Sequence, residues 1–377
     1  MWATGWSWPL IAASAVFVAC SAATLALLPP LQRRARAPHV AKTIPLSTYL
    51  SFDFSVRIRA FLLSKGGVSS KLTKIPDVEA VADGIIRVLG KNPSRMTLQG
   101  TNTYLLGHGP KRILIDASDG NLQYVRNLLD VCKSHGVEEI TDLVITHGHS
   151  DHIGGVVHLR EAFPSINVWK YMPTGGADRS LRYSNAECEA LLMKPLKQGM
   201  SFAIPQMDAV LRTEYMPGHC ADHVCFLLEQ KASQSIALFS GDCILGEGSC
   251  VFESLTDLMN SLLRLRALSP SVIYPAHGPV IKNAAAKIEE YITHRLQREK
   301  EILAVLASTA KPVSTKEIVG VIYSSLPFML RLAAQKAVEK HLIKLLHERR
   351  VTKTEVSGWM GASTTYMIRS ERSPGTI

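Results

Sequence analysis

Seven histidine and aspartate side chains in the middle of the chain have the types and spacing of metal ligands. Four of them lie within six residues of the segment TDLVITHGHSDHIGG, where an apolar run leads into His147, His149, Asp151 and His152. Alternate residues of an extended segment point to the same side, so His147 and His149 can serve one ion together. Asp151 and His152 follow at a turn and can serve a second ion. Imidazole and carboxylate ligands suit zinc, and two such ions about 3.5 to 4 Å apart share one hydroxide.

Three further candidates each follow a short apolar run. They are His219 in EYMPGHCADH, Asp242 in ALFSGDCILGEG and His277 in VIYPAHGPVI. A single histidine after a strand is most often a surface residue, whereas three such positions joining an H-x-H-x-D-H segment indicate a shared site. Neutral imidazoles and two carboxylates would leave much of the charge of two Zn²⁺ uncompensated, so bound water would deprotonate near neutral pH. This pattern predicts hydrolysis without a serine or cysteine nucleophile, but it does not name the bond.

The elements that must position these residues alternate between strands and helices. Apolar runs predict strands at Ile85 to Leu89, Thr103 to Leu106, Ile113 to Ile115 and Leu143 to Ile145, and helical periodicity predicts a helix at Leu122 to Cys132. Such alternation is typical of an α/β layer arrangement, in which the loops after strand ends carry the chemistry.

The order H-x-H-x-D-H, P-G-H, S-G-D and H-G-P resembles the metallo-β-lactamase superfamily of zinc hydrolases. The longer strings RVLGKNPSRMTLQGTNTYLLGHGPKRILID, FSGDCILGEGSCVFE and IKNAAAKIEEYITHR are similar to a group of mitochondrial endoribonucleases within it. The similarity runs from about Val81 to the carboxyl end. It implies an αββα sandwich with a dinuclear zinc centre at one edge, and it agrees with a winged-helix-like domain after the sandwich.

The resemblance also implies a role for each of the seven candidates. The ligands of the first zinc would be His147, His149 and His219, and those of the second zinc would be Asp151, His152 and His277. Asp242 would bridge the two ions. Other divalent metals could take the place of zinc. Asp151 has a second expected role, which is to orient the hydroxide or to take its remaining proton, so Asp151 and Asp242 are the candidate catalytic residues.

Several residues border the candidate ligands. Asp116, at the end of RILID, matches a carboxylate that orients a ligand histidine in the superfamily. The chain departs from the common strings L-I-D-T-G and H-W-H-R-D-H at Ala117, Ser118, Gly148 and Ser150. We expect these departures to affect the substrate side of the pocket rather than the metals. Cys220 and Cys243 stand beside candidate ligands, and we interpret both as packing residues.

The composition and the charge distribution limit the class of protein. The 377 residues are 46% hydrophobic and 20% charged, which fits two or three globular domains and excludes a disordered or collagen-like chain. Seven cysteines without a C-x-x-C pair exclude a cysteine zinc knuckle and favour a reducing compartment. The balance of Lys and Arg against Asp and Glu is nine to one in residues 1–75, nineteen to twenty-two in 76–288 and fourteen to nine in 289–377. The two ends would therefore meet a polyanion, and the middle is free to hold cations.

These three segments are our predicted domains: an N-terminal hydrophobic and basic extension, a metallo-β-lactamase domain and a winged-helix-like domain. Leu10 to Leu28 is uncharged, mostly apolar and just long enough to span a membrane. Arg33, Arg34 and Arg36 follow it, and no acid precedes Asp53. The pattern fits a membrane anchor and a mitochondrial presequence equally well, and the mature protein could also lack the segment. We expect a mitochondrial location, in the matrix or membrane-anchored, with a cytosol-facing anchor as the alternative.

The C-terminal segment predicts three helices and a hairpin. IEEYITHRLQREKEILAVLAS and FMLRLAAQKAVEKHLIKLLHERR have helical spacing, Ser314 to Glu317 forms a capping box, and VTKTEV with GWMGASTTYMI predicts the hairpin. Three lysines share one helical face, which are Lys336, Lys340 and Lys344, and Arg349 with Arg350 extends this face toward the hairpin. Such a face is either simply solvated or a non-specific, salt-sensitive surface for phosphate.

Three functions remain open. The first is a zinc endoribonuclease acting on single-stranded RNA, favoured by the length of the resemblance and by the basic tail. The second is a thioesterase of glyoxalase II or acyl-carrier type with the same ligands, and the third is a membrane-tethered nucleic-acid-binding module without turnover, which the filled ligand positions disfavour. We expect substrate preference to depend on the loops around Asn102 and Tyr104 and on Thr174 to Tyr183.

Overall fold

Two β-sheets packed face to face form the centre of the fold. The computed structural model describes residues 71–173, 183–230, 232, 235–325, 328–358 and 361–369. The segment from Leu10 to Leu28 lies outside these ranges. Within them, no helix combines the length and the apolar character that crossing a membrane requires.

The first sheet has seven strands in the order of the chain among the residues described. Its strands are β1 (Val78–Ala82), β2 (Ile85–Leu89), β3 (Asn102–Leu106), β4 (Lys111–Ile115), β5 (Glu139–Ile145), β6 (Asn167–Tyr171) and β7 (Lys194–Leu196). Strands β1 to β4 pair antiparallel, and β4 to β7 pair in parallel. The carboxyl ends of β4 to β7 therefore meet at one edge.

The second sheet has the order β12-β11-β10-β9-β8. Its strands are β8 (Ser201–Ala203), β9 (Ala209–Tyr215), β10 (Val224–Gln230), β11 (Ile236–Gly241) and β12 (Val272–Pro275). Because β9 and β11 are both antiparallel to β10, and β12 is parallel to β11, the carboxyl ends of β9, β11 and β12 also share one edge.

Alternation of side chains along β4 shows how the layers form. Ile113 and Ile115 pack between the sheets with Phe226 and Phe239, whereas Leu114 points the other way and packs under the helices. Successive side chains of a strand face opposite sides of the sheet, so a continuous apolar run fills two cores at once. Burying each such side chain contributes roughly 1.5 to 3 kcal/mol.

Helices cover both outer faces of the sandwich, as the resemblance implied. Those on the first sheet are α1 (Leu122–Ser134), α2 (Ser150–Ile153), α3 (Val156–Ala162) and α4 (Asn185–Ala190). Those on the second sheet are α5 (Leu255–Leu268) and the first half of α6 (Ala284–Ala307). The αββα arrangement is confirmed. Helix α1 begins at the predicted residue because the Asn121 side chain caps it by accepting from the Gln123 N–H.

The predicted strands are confirmed, and the differences lie at their first residues. Strand β2 has the predicted bounds, whereas β4 begins at exposed Lys111 and β5 at half-buried Glu139. Lys111 and Glu139 lie outside the apolar runs, yet they pair with each other and extend the pairing of β4 with β5. An apolar pattern therefore locates the buried part of a strand and underestimates its length.

The C-terminal domain has the predicted winged-helix-like form. It contains the second half of α6, then β13 (Val313–Ser314), α7 (Thr315–Ile322), α8 (Phe328–His347), β14 (Val351–Gly358) and β15 (Gly361–Ile368). The three strands have the order β13-β15-β14. The capping box is confirmed, since the Ser314 hydroxyl accepts from the Glu317 N–H while the Glu317 carboxylate accepts from the Ser314 N–H.

Helix α6 belongs to both domains. Ile288 and Tyr291 pack in the core outside the second sheet, whereas Ile302 and Leu306 pack in the core of the C-terminal domain. The predicted boundary between residues 288 and 289 falls inside this continuous helix. The two domains are therefore joined by a shared helix.

Two lysines of the predicted basic face of α8 make internal contacts, whereas Lys336, Arg349 and Arg350 are exposed. Lys344 is buried, with Nζ 2.6 Å from a carboxylate oxygen of Glu299 and 2.6 Å from one of Glu348. Lys340 donates to the Phe252 carbonyl, and Lys336 is exposed. At Lys340 and Lys344 the helix packs against the sandwich and α6, so these two lysines serve internal contacts. Helical spacing alone does not distinguish a solvated face from one that packs with its charges paired.

Candidate metal centre

The seven candidate ligands meet at the edge of the sandwich where the strands end. His147 follows β5, Asp242 directly follows β11 and His277 follows β12. His219 lies in the loop after β9, and the short helix α2 carries Asp151 and His152. Because the strand ends of both sheets converge here, residues far apart in sequence come into contact.

Four residues form the first group of donors, which are His147, His149, His219 and Asp242. Nδ1 of His149 lies 2.8 Å from Nε2 of His147 and 3.0 Å from Nε2 of His219. One donor atom from each of the four residues lies within 4.8 Å of the others. Three imidazole nitrogens and a carboxylate oxygen around one point match a tetrahedral divalent site.

Asp151, His152 and His277 form the second group. Oδ2 of Asp151 lies 3.2 Å from Nε2 of His152 and 3.3 Å from Nε2 of His277. Asp242 connects the groups, because its Oδ2 lies 3.4 Å from Nε2 of His219 and its Oδ1 lies 3.1 Å from Nε2 of His277. Each carboxylate oxygen of Asp242 thus faces a different group, which is the arrangement of a bridging ligand.

Hydrogen bonds behind the donors fix the orientation of the rings. Nδ1 of His152 donates to Oδ2 of Asp116 at 2.8 Å, and the Thr146 N–H donates to the other Asp116 oxygen at 2.8 Å. Nδ1 of His219 donates to the Val251 carbonyl at 2.7 Å. A ring that donates through Nδ1 presents the lone pair of Nε2 to the shared point. Asp116 therefore has the position predicted for it.

The candidate histidines differ in the direction in which their surroundings shift the pKa. Burial, with His219 adding to it, lowers the pKa of His149 to about 3. Burial and His152 hold the pKa of His147 well below its usual range, and burial lowers the pKa of His219. These three imidazoles are neutral and keep free lone pairs near neutral pH.

The other two histidines face carboxylates. Burial alone would lower the pKa of His277, but Asp242 and Asp151 raise it to about 9. Burial also opposes protonation of His152, and the carboxylates of Asp151 and Asp242 nonetheless raise its pKa well above the usual range. Two carboxylates this close to one point favour a positive charge there, which a divalent cation can supply.

The donor set fits divalent metal. Nε2 of His152 and Oδ1 of Asp242 are buried without a hydrogen-bond partner, although each faces the point between the groups. Buried polar atoms without partners are rare and point to an unseen ligand when they converge. The cluster is therefore able to bind metal ions, and neutral imidazole with carboxylate is the set that zinc prefers.

The sequence interpretation missed three residues that support the centre. Asp222 accepts from the Gly148 N–H at 2.9 Å and from Lys170 Nζ at 2.5 Å, so this buried ion pair holds the loop that carries His147. Nε2 of His223 accepts from the Asp242 N–H at 3.0 Å. Asp222 and His223 stand within EYMPGHCADH, only a few residues after His219. Lys170 gives no such signal, because a lysine in a strand is usually exposed.

Two glycines allow the backbone to pack closely at the centre. A Cβ on Gly155 would lie 2.1 Å from the Ala117 carbonyl oxygen. Gly241 has φ +51°, and a Cβ there would lie 2.6 Å from Nε2 of His223. The glycines beside the H-x-H-x-D-H segment and before Asp242 are therefore steric requirements of the site.

Other positions named in the sequence analysis are buried next to the donor groups. Cys220 and Cys243 are buried and belong to neither donor group. The four departures from the common strings are also buried, so they do not form an open substrate surface; they are Ala117, Ser118, Gly148 and Ser150.

Asn102 and Tyr104, around which we expected loops that affect substrate preference, lie in strand β3. Both are buried and donate to the Pro275 carbonyl, at 2.9 and 2.7 Å. They connect β3 to the end of β12, and thus position the loop of His277. Residues 174–182, which we also expected to affect preference, lie outside the described residues.

Comparison with known proteins gives two family matches. Residues 96–277 match the metallo-beta-lactamase superfamily, and residues 314–359 match the beta-lactamase associated winged helix domain. The chain is 37% identical over 300 residues to a beta-lactamase-like protein 2 homolog of Caenorhabditis elegans, covering 78% of this chain and 95% of the relative.

Two further similarities concern substrate and fold. An atrochrysone carboxyl ACP thioesterase of Passalora fulva is 33% identical over 264 residues, covering 68% of this chain and 73% of that protein. A beta-lactamase domain protein from Burkholderia ambifaria, known from its crystal structure, has a TM-score of 0.61 at 19% identity, covering 80% of this chain and 96% of that one. The last similarity concerns the fold alone.

Proposed function

The chain belongs to the metallo-β-lactamase superfamily, and from this premise we propose that it is a zinc-dependent endoribonuclease that cleaves phosphodiester bonds of single-stranded RNA. The observation that carries the hydrolytic part is the position of Asp242, whose two oxygens face the two donor groups at 3.4 and 3.1 Å. A carboxylate in this position can keep two cations a short distance apart. Such a centre serves hydrolysis of esters of several kinds, so the substrate needs a separate argument.

We propose that the centre holds two zinc ions, one in each donor group. When bound, the ions supply an acidified water as nucleophile and positive charge that stabilises a developing oxyanion. Asp151 is the residue of the chain that would orient the attacking water and accept its proton. Its Oδ2 lies 3.2 Å from Nε2 of His152 and 3.3 Å from Nε2 of His277, beside the point where the two donor groups meet.

The role of Asp151 has a direct test. In Asp151→Asn the amide keeps a metal-binding oxygen but cannot take a proton, so we expect turnover to fall at least about 100-fold, in keeping with the loss of a general base. Metal content measured on the same sample separates this effect from loss of the ion. Full turnover with zinc still bound would remove this role.

The choice of RNA rests on sequence. The similarity to mitochondrial endoribonucleases extends from about Val81 to the carboxyl end, and residues 289–377 carry five more basic than acidic side chains. Lys340 and Lys344 make internal contacts, so they do not take part in the proposed phosphate binding. The exposed Lys336 and Arg349 remain available to the backbone of an RNA strand.

A thioester hydrolase is the second candidate. It is favoured by the relative named atrochrysone carboxyl ACP thioesterase, whose similarity covers 68% of this chain. The same two-ion centre can stabilise the tetrahedral oxyanion that forms at a thioester carbonyl. The two candidates share a mechanism and differ in what the pocket recognises.

One assay separates the two candidates. The purified chain, loaded with zinc, is given fluorescently labelled single-stranded RNA, S-lactoylglutathione and an acyl-carrier thioester in parallel. We expect RNA cleavage in the interior of the strand and no thioester hydrolysis above the rate without protein. If the chain hydrolyses only the thioesters, the thioester hydrolase replaces the endoribonuclease as the proposed function. The variant His149→Ala, which removes a donor of the first group, controls for contaminating enzymes.

We propose a mitochondrial location, in the matrix or attached to a membrane through Leu10 to Leu28. The proposal rests on the apolar segment and on the basic residues that follow it. Imaging of a C-terminal fluorescent fusion, with and without residues 1–36, tests it. Mitochondrial signal that is lost in the shortened chain is expected, and an unchanged cytosolic signal from both would contradict it.

A further inference from the structure

A loop of the sandwich lies between the metal centre and the C-terminal domain. It comprises residues 249–253, and three of its consecutive carbonyl groups accept hydrogen bonds from three different side chains. The Cys250 carbonyl accepts from Arg295 at 3.1 Å, the Val251 carbonyl accepts from Nδ1 of His219 at 2.7 Å, and the Phe252 carbonyl accepts from Lys340. The central carbonyl faces the metal centre, while its two neighbours are bound from α6 and α8.

The Val251 carbonyl depends on its neighbours for its position. The Val251 side chain is 56% exposed, so it anchors this residue poorly. On either side, the Arg295 guanidinium lies 4.8 Å from the centre of the Phe252 ring, and Lys340 Nζ lies 5.1 Å from it. Arg295 also donates to the Ser249 hydroxyl at 2.6 Å. Two cations thus hold both the backbone and the aromatic side chain next to Val251.

Helix α6 holds the first part of the same connection as well. The Leu245 N–H donates to Oη of Tyr291 at 2.9 Å, and Tyr291 donates to the Gly248 carbonyl at 3.3 Å. At the other end of the loop, the Glu253 N–H donates to the carbonyls of Gly218 and His219, at 2.8 and 3.0 Å. The loop therefore has one side against the C-terminal helices and the other against the His219 segment.

We propose that Arg295 and Lys340 are positioning residues for His219, so that the C-terminal domain sets the metal affinity of the first donor group. By fixing the carbonyls on both sides of Val251, they keep the Val251 oxygen where it accepts from Nδ1 and directs Nε2 of His219 toward the shared point. This inference rests on the proposed metal function. It gives the winged-helix-like domain a role in assembling the catalytic centre, in addition to any contact with substrate.

The test measures metal binding by the whole chain. Zinc affinity is determined by competition with a chelating dye, and cobalt(II) absorption reports the coordination of the first group. In Arg295→Ala and in Lys340→Met we expect one of the two sites to bind zinc about 10- to 100-fold more weakly, the effect typical of losing an outer hydrogen bond to a ligand. The cobalt spectrum should change with it, and the second site should keep its affinity.

Two variants separate positioning from general stability. Arg298→Ala removes a cation of the same helix that pairs with Glu301 and lies 4.3 Å over the ring of Tyr323, a residue packed against the core of the C-terminal domain. It should leave both zinc affinities unchanged. Arg295→Lys keeps a positive donor toward the Ser249 hydroxyl and should recover part of the lost affinity.

Failure of the proposed function and failure of this inference give different experimental results. If the wild-type chain binds no divalent metal, the proposed function fails and takes this inference with it. If the wild type binds two ions while Arg295→Ala and Lys340→Met bind them equally well, the inference alone is overturned. An equal loss of affinity in Arg298→Ala would also overturn it, because the effect would then reflect the stability of the domain.

Discussion

Oδ2 of Asp116 lies 2.8 Å from Nδ1 of His152, and this contact connects the end of β4 to a ligand on α2. Both side chains are almost completely buried. The contact makes Nδ1 the donor, and it leaves Nε2 of His152 as the atom directed at Asp242 and Asp151. A carboxylate that touches no substrate can thereby determine the strength of a metal site.

The first prediction concerns this carboxylate. In Asp116→Asn the amide retains an acceptor oxygen but loses the charge that makes His152 a stronger ligand. We expect zinc in the second group to bind about 10- to 100-fold more weakly, as measured by chelator competition. Unchanged affinity would mean that Asp116 serves only the backbone of Thr146, with which it also bonds.

The second prediction concerns the buried pair of Lys170 and Asp222. Lys170→Met leaves the Asp222 carboxylate buried without its cation, which should lower the free energy of unfolding by about 3 to 5 kcal/mol. Urea denaturation measures the loss. The matched control is Lys111→Met, whose partner Glu139 lies 3.4 Å away at the surface, and it should cost less than about 1 kcal/mol.

Adding Asp222→Asn to Lys170→Met should restore part of the stability. The amide oxygen can still accept from the Gly148 N–H, and no buried charge remains uncompensated. A double variant that is no more stable than Lys170→Met would contradict the electrostatic explanation and would leave packing of the lysine stem as the cause.

The third prediction compares two glycines. Gly155→Ala places a methyl group 2.1 Å from the Ala117 carbonyl oxygen, so backbone must move. We expect a loss of about 1 to 3 kcal/mol and weaker metal binding. Gly320→Ala lies in α7 with no neighbour within 4 Å of the new methyl group, and it should stabilise the chain by roughly 0.5 to 1 kcal/mol. We expect Gly155→Ala to lower the midpoint temperature of thermal unfolding and Gly320→Ala to raise it.

The fourth prediction concerns the lysines of α8. Lys344→Met removes the buried partner of Glu299, so we expect lower thermal stability and an unchanged dependence of RNA affinity on salt concentration. Lys336→Met at the exposed position should keep the stability and reduce the salt dependence of RNA binding by about one ion. A reduced salt dependence in Lys344→Met without loss of stability would reinstate the phosphate-binding face.

The sequence predicted which candidate ligands meet better than it predicted the residues around them, for a physical reason. A metal ligand must have one of a few side chains, and strand ends bring candidates such as His147, His149 and His277 to one edge, so residue type and local pattern are informative together. The contacts of Lys170 and Lys340 depend instead on which elements pack against each other. The spacing of residues along one helix does not show which other element packs against it. For this reason the sequence predicted that all three lysines of α8 lie at the surface.

The domain organisation shows the same limit. The core of the sandwich and the core of the C-terminal domain each give a local apolar pattern, and both were predictable. Helix α6 has one uninterrupted pattern from Ala284 to Ala307 although its two halves serve different cores. Nothing in such a pattern marks where one domain ends.

The central claim is that seven side chains hold two divalent ions that make the chain a hydrolase. Elemental analysis of the purified chain, combined with an activity assay before and after chelation, tests it most directly. We predict two equivalents of zinc or another divalent metal per chain, one for each donor group, loss of activity on chelation and recovery when zinc is returned. A chain that binds no divalent metal, or that keeps full hydrolytic activity after complete removal of metal, would contradict the account.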